Sequence, residues 1–157
     1  MESLDSLRKL FEYDYWANQE ALHSIATLNG APERTLKVAG HIIGAQRVWL
    51  GRLEAPDATA PAPWPLLNLE EASAAVSQLR QRWNSFLSNL TPERLDEDLV
   101  HRNSKGVEFR VPVRDILMQL VMHSAYHCGQ IAAAVREAGG KPAATDYIVY
   151  ARRQRRS

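Results

Sequence analysis

A chain of 157 residues has the length of a single domain, 1–157, and buries roughly 70% of its unfolded surface without any cross-link. Hydrophobic residues at 45% and charged residues at 24% exclude a disordered chain, and the single cysteine, Cys128, excludes an internal disulfide and the Cys-rich zinc sites. The net charge of +1 hides a mildly acidic body, because four of the 19 basic residues crowd the C-terminal end and the other 15 face 18 acidic ones, which argues against the basic face of a nucleic-acid-binding domain.

The opening Met1-Glu2-Ser3-Leu4-Asp5 carries two acids and no apolar run, unlike a signal peptide. From about Ser3 to Leu28, Leu4, Leu7, Phe11, Tyr15, Leu22 and Ile25 keep a 3.6-residue stripe, which predicts a first helix. A second is predicted over about Arg34 to Leu53, with Val38, Ile42, Ala45, Val48 and Trp49 inward. Ala55 to Leu67 holds Pro56, Pro61, Pro63 and Pro65 and reads as a long connection, one that lets the helices on either side run parallel.

The third helix starts at Leu69, where Asn68 and Glu71 form a capping-box pattern. Its stripe is Ala72, Val76, Leu79, Trp83, Phe86, Leu87 and Leu90. Thr91-Pro92-Glu93 predicts a short helical turn. Val107, Phe109 and Val111 alternate with charged residues, so a small hairpin is predicted with Leu99 to Arg102 across Asn103-Ser104-Lys105-Gly106. The fourth long helix runs from about Val113 to Ala138, between Pro112 and Gly139-Gly140. One more short helix is expected in Thr145 to Arg153, and then a disordered basic tail, Gln154 to Ser157. No run approaches 18 apolar residues, so no membrane helix is expected. Together these elements predict an all-α protein, a four-helix bundle with a minor hairpin between its third and fourth helices.

The chemistry concentrates in the fourth helix. His123 and His127 are four residues apart, which stacks them on one face about 6 Å apart at Cβ. Both follow the stripe of Ile116, Leu120 and Ile131, and two histidines in an apolar stripe each need a hydrogen bond or a metal. His41 lies on the inward stripe of the second helix. The three together make either an open His₃ metal site or a set of hydrogen-bonded core histidines. Position 124 is Ser, so the glutamate base of the zinc-protease motif is missing.

Beside them, Gln130 stands three residues after His127 and is expected to approach the site. Asp14 and Asn18 are candidate partners for a ligating ring, but Asp14 is expected in solvent and Asn18 against the backbone. Tyr126 is as readily a packing residue. Trp16, Trp49, Trp64 and Trp83 read as core or interface, His23 and His101 as surface, and Cys128 as an inert buried thiol.

Tyr15-Trp16-Ala17-Asn18, Gly40-His41-Ile42 followed by Trp49, His123-x-x-x-His127 followed by Gly129-Gln130, and Pro142 to Tyr150 together resemble the DinB (damage-inducible) superfamily over nearly the whole chain. The resemblance implies an up-down-down-up four-helix bundle, often a homodimer. It also implies a divalent metal, zinc or nickel, on His41, His123 and His127. Gln119 and Cys128 depart from the histidine and arginine common in the family, without touching the implied ligands. Some relatives use a low-molecular-weight thiol to transfer or isomerise small electrophiles, so a metal-dependent thiol S-transferase or isomerase is expected. A metal-dependent hydrolase and a non-enzymatic metal-binding stress or scaffold protein are the alternatives.

Overall fold

The computed structural model describes residues 4–155. In chain order it contains α1 (Leu4–Ala26), α2 (Glu33–Glu54), α3 (Leu69–Ser88), α4 (Pro92–Asp96), β1 (Asp98–Arg102), β2 (Glu108–Pro112), α5 (Val113–Glu137) and α6 (Tyr147–Gln154). The protein is therefore predominantly helical with one antiparallel hairpin. The expected start of the first helix at Ser3 lies outside the described residues, as do Arg156 and Ser157 of the expected tail. Gln154 departs from the expectation of disorder: it is the last residue of α6.

Local chemistry sets the helix ends. Asn68 accepts from the Glu71 N–H, and the Glu71 carboxylate accepts from the Asn68 N–H, so two orphan donors are satisfied reciprocally. Thr91 caps α4 by a single bond, its hydroxyl accepting from the Arg94 N–H. Gly139, at φ +81°, takes the left-handed conformation that ends α5, and the N–H groups of Gly139 and Gly140 bond the Arg136 and Val135 carbonyls. In the hairpin, Asn103 Oδ1 accepts from the N–H groups of Lys105 and Val107.

The four long helices share one apolar core. It includes Leu7, Phe11, Ile25, Ile43, Leu50, Leu79, Trp83, Leu87, Leu117, Leu120 and Ile131. α1 and α2 each pack against α3 and α5, while α1 faces α2, and α3 faces α5, across the diagonals. Asp14 lies by Ser124, and Asn18 by Cys128, so α1 and α5 run the same way. Arg80 bonds Glu12 and Arg8 bonds the Leu87 carbonyl, so α3 runs opposite to α1. Arg34 pairs with Glu137 and His41 meets His123, so α2 runs opposite to α5. α2 and α3 are thus parallel, which their long proline-rich connection allows. α6 closes one side, where Tyr13 packs against Tyr147 and Tyr150 and donates to the Thr145 carbonyl.

That connection does more than span a distance. Its later part lies along α2 as a strap, over Gly40 and Gly44. A Cβ at either position would press into the strap's backbone, the Pro65 carbonyl at Gly40 and the Pro63 carbonyl at Gly44. Only glycine lets the two chains approach so closely. A Gly44→Ala substitution should therefore push the strap outward and lower stability by about 1–3 kcal/mol, read from urea unfolding. An unchanged unfolding midpoint would contradict the close approach.

Candidate metal centre

α2 and α5 present three histidines to one another. His123 Nε2 lies 3.1 Å from His41 Nε2 and 3.1 Å from His127 Nε2. One nitrogen from each ring falls within 4.8 Å of the others. The rings meet edge-on, with centroids 4.4 to 4.9 Å apart. All three are partly exposed, which corrects the expectation that they face the interior. The inward face of α5 runs instead through Leu117, Leu120, Ser124, Cys128 and Ile131. A helical residue advances 100°, so histidines on a stripe drawn one residue off stand at the core's margin.

The distal nitrogens decide what the proximal ones can do. His41 Nδ1 donates to the Pro63 carbonyl at 3.0 Å. His127 Nδ1 donates to Gln130 Oε1 at 2.7 Å. With Nδ1 carrying the proton, the Nε2 atom of a neutral imidazole is a bare lone pair. As neutral rings, His41 and His127 therefore turn lone pairs toward the cluster, and His123 is the ring of the three whose Nε2 meets both of them. Burial, with the neighbouring His127 and His41, pushes His123 down to about 4, so it is neutral near pH 7. Burial also pushes His41 down, against the pull of its Pro63 bond.

The donor set fits a divalent transition metal. Imidazole nitrogen suits zinc, copper, iron and nickel alike. Zn–N bonds of about 2.0–2.1 Å place two nitrogens on a tetrahedral ion roughly 3.3 Å apart, close to the 3.1 Å separations at His123. Second hydrogen bonds to a carbonyl and an amide oxygen are what ligating histidines commonly make. The three histidines could thus hold one metal ion.

Sequence reasoning missed the strap's part in the site. Pro63 sets the His41 tautomer, and Trp64 stacks on the His41 ring, with centroids 3.7 Å apart and planes within 12°. Trp64 remains 49% exposed, so it is not a core residue. Tyr126 is 67% exposed and meets His127 edge-on at 5.1 Å. The Gly40 and Gly44 pair, four apart on α2, was the sequence signal for a close approach. Gln130 does approach the site, as its spacing predicts.

Asp14 overturns its expectation. It is buried, and so is Asn18. Asp14 Oδ2 accepts from Gln46 Nε2 at 2.7 Å and from Asn18 Nδ2 at 3.2 Å. Gln46 in turn accepts from Trp83 Nε1 and donates to Ser124 Oγ. The Cys128 thiol is buried and donates to Asn18 Oδ1, and burial, with Asp14 nearby, pushes it up to about 12, so it is the inert buried thiol expected. The cluster touches α1, α2, α3 and α5 directly behind the histidines. His101 is not a plain surface residue either. It is half-buried between Trp49 and Phe109. His23 is exposed, as expected.

Burial pushes the Asp14 carboxyl up from 3.8 to about 6, against hydrogen bonding from Ser124, Gln46 and Asn18. A folded-state value above the unfolded one favours the folded protein while the acid is protonated. That benefit is complete below pH 4 and is lost as pH rises to 6. Asp14→Asn keeps an amide oxygen for Gln46 and removes the charge. Relative to wild type, the variant should gain roughly 2–3 kcal/mol between pH 4 and pH 7, measured by denaturant unfolding at each pH. A difference that does not vary with pH would contradict the raised carboxyl.

The chain is similar to "Protein DinB" of Bacillus subtilis (strain 168), at 27% identity over an alignment 159 positions long, which takes in 90% of this chain and 91% of that one. The model of the DinB family matches residues 4–157, and the chain belongs to that family.

Proposed function

We propose that this protein is a divalent-metal-binding four-helix bundle of up-down-down-up order, in which His41, His123 and His127 hold one zinc or nickel ion and leave a coordination position open to solvent. The observation that carries the reading is the convergence of three Nε2 atoms, two of them on rings whose Nδ1 donates a hydrogen bond on the far side, which in a neutral imidazole leaves Nε2 as a lone pair. Three protein ligands fall short of the four a structural zinc site uses. The partial exposure of the rings suits entry of a small molecule.

The reaction that suits these surroundings is transfer or isomerisation with a low-molecular-weight thiol. A bound divalent metal stabilises a thiolate at neutral pH. Among the described residues no carboxylate hydrogen-bonds any of the three histidines. Thiol chemistry needs no such base once the thiol is ionised, whereas a hydrolase would profit from one to orient water. The Pro63 carbonyl holds His41 in one tautomer, Gln130 does so for His127, and the Asp14 cluster fixes the seat of α5 behind both. Each acts before any ligand arrives, so little reorganisation is left to the binding step. A homodimer and a reducing, cytoplasmic setting belong to the same reading. No helix among the described residues is long and apolar enough to cross a membrane.

Metal content tests the proposal. Protein purified without a histidine tag should carry about one divalent ion per chain by mass spectrometry. The His41→Ala/His123→Ala/His127→Ala variant should carry none. A wild-type protein without metal, and without uptake of added zinc or nickel, would refute the reading. Retention should also weaken on acidification, because protons compete for the same nitrogens.

A further inference from the structure

We infer that the metal centre takes an anion carried on an aromatic or similarly flat apolar body, and that Trp64 and Tyr126 are the rings that read that body. The inference rests on the metal reading above and goes on to the class of molecule the site selects.

Two observations combine. The first is charge. Three imidazoles bring no negative charge to a divalent ion, and among the described residues no carboxylate hydrogen-bonds them. An ion held this way keeps its full charge, so a donor arriving from solvent binds best as an anion. The second is the character of the rim. Trp64 lies flat on His41 with one face and is still 49% exposed. Tyr126 stands edge-on to His127 and is 67% exposed. Met122, just before His123, is 60% exposed. Two imidazoles of the triad thus each carry an exposed aromatic neighbour, on different segments of the chain.

Neither ring is placed by core packing. Tyr126 projects from the outer side of α5. Trp64 is held where it is because Pro63 is hydrogen-bonded to His41 and the Pro65 carbonyl rests on Gly40. An exposed indole pinned on the His41 ring offers a stacking surface at the edge of the three-histidine cluster. A molecule that binds the ion through its charged atom brings its flat body to these rings.

Cobalt-loaded full-length protein can be titrated with acetate and with phenylacetate, two carboxylates of similar basicity, followed by the visible absorption of the ion. Phenylacetate should bind about tenfold more tightly than acetate. Trp64→Ala and Tyr126→Ala should each shrink that preference severalfold while keeping wild-type cobalt content. Equal affinities in a cobalt-loaded protein would overturn this inference and leave the metal reading standing. A preference that survives both substitutions would also overturn it. So would a Tyr126→Ala variant that changes from dimer to monomer in sedimentation with its phenylacetate affinity intact, since a second copy would then cover the ring. A protein that takes up neither cobalt nor added zinc or nickel would overturn the metal reading, and this inference with it.

Discussion

The hydrogen bond from His41 Nδ1 to the Pro63 carbonyl joins the two halves of the account. On one side it is part of the fold. It fastens the connection between α2 and α3 onto α2, over two glycines that leave room for its backbone. On the other side it is part of the chemistry. It commits the His41 proton to the far nitrogen and turns the near one toward His123. Without the bond, His41 would be a partly exposed imidazole free to take either tautomer, and the strap that carries Trp64 would lose one of its fastenings to α2.

α5 supplies its own version of the same device. His127 is fixed by Gln130, one turn on, so no distant segment is needed. What α5 does need is a fixed rotation about its axis, since a turn of one residue would carry both histidines away from α2. Asp14, Asn18, Gln46, Trp83, Ser124 and Cys128 supply it through directional bonds. Apolar contacts tolerate small slips, whereas a buried hydrogen-bonded cluster loses partners if one helix rotates. A buried carboxyl pushed up to about 6 is the energetic cost of that fixed geometry.

Much of this was legible in the sequence, and the rest was hidden for definite reasons. The long helices, the Asn68 cap and the hairpin followed from periodicity and end chemistry, both local. The three histidines stood out because two are four apart on a helix and the third lies among apolar residues. Their exact setting did not, because a stripe drawn through Ile116, Leu120 and Ile131 leaves the angle of the face uncertain by about one residue's 100°. Asp14 was misread because a charged residue in an amphipathic helix normally faces water. Its burial depends on Gln46 and Ser124, which come from two other helices. Pro63 and Trp64 were equally out of reach, since a loop's path over a helix is a tertiary fact. Only the spacing of Gly40 and Gly44 pointed to it.

The central claim is that the site's donors are set before any metal arrives. A long-range proton–nitrogen correlation spectrum of the histidine rings in metal-free protein at neutral pH tests it most directly. The account predicts that His41 and His127 carry their protons on Nδ1, with unprotonated Nε2 atoms. A proton on Nε2 of either ring would contradict it, because the lone pairs would then face Pro63 or Gln130 and not one another.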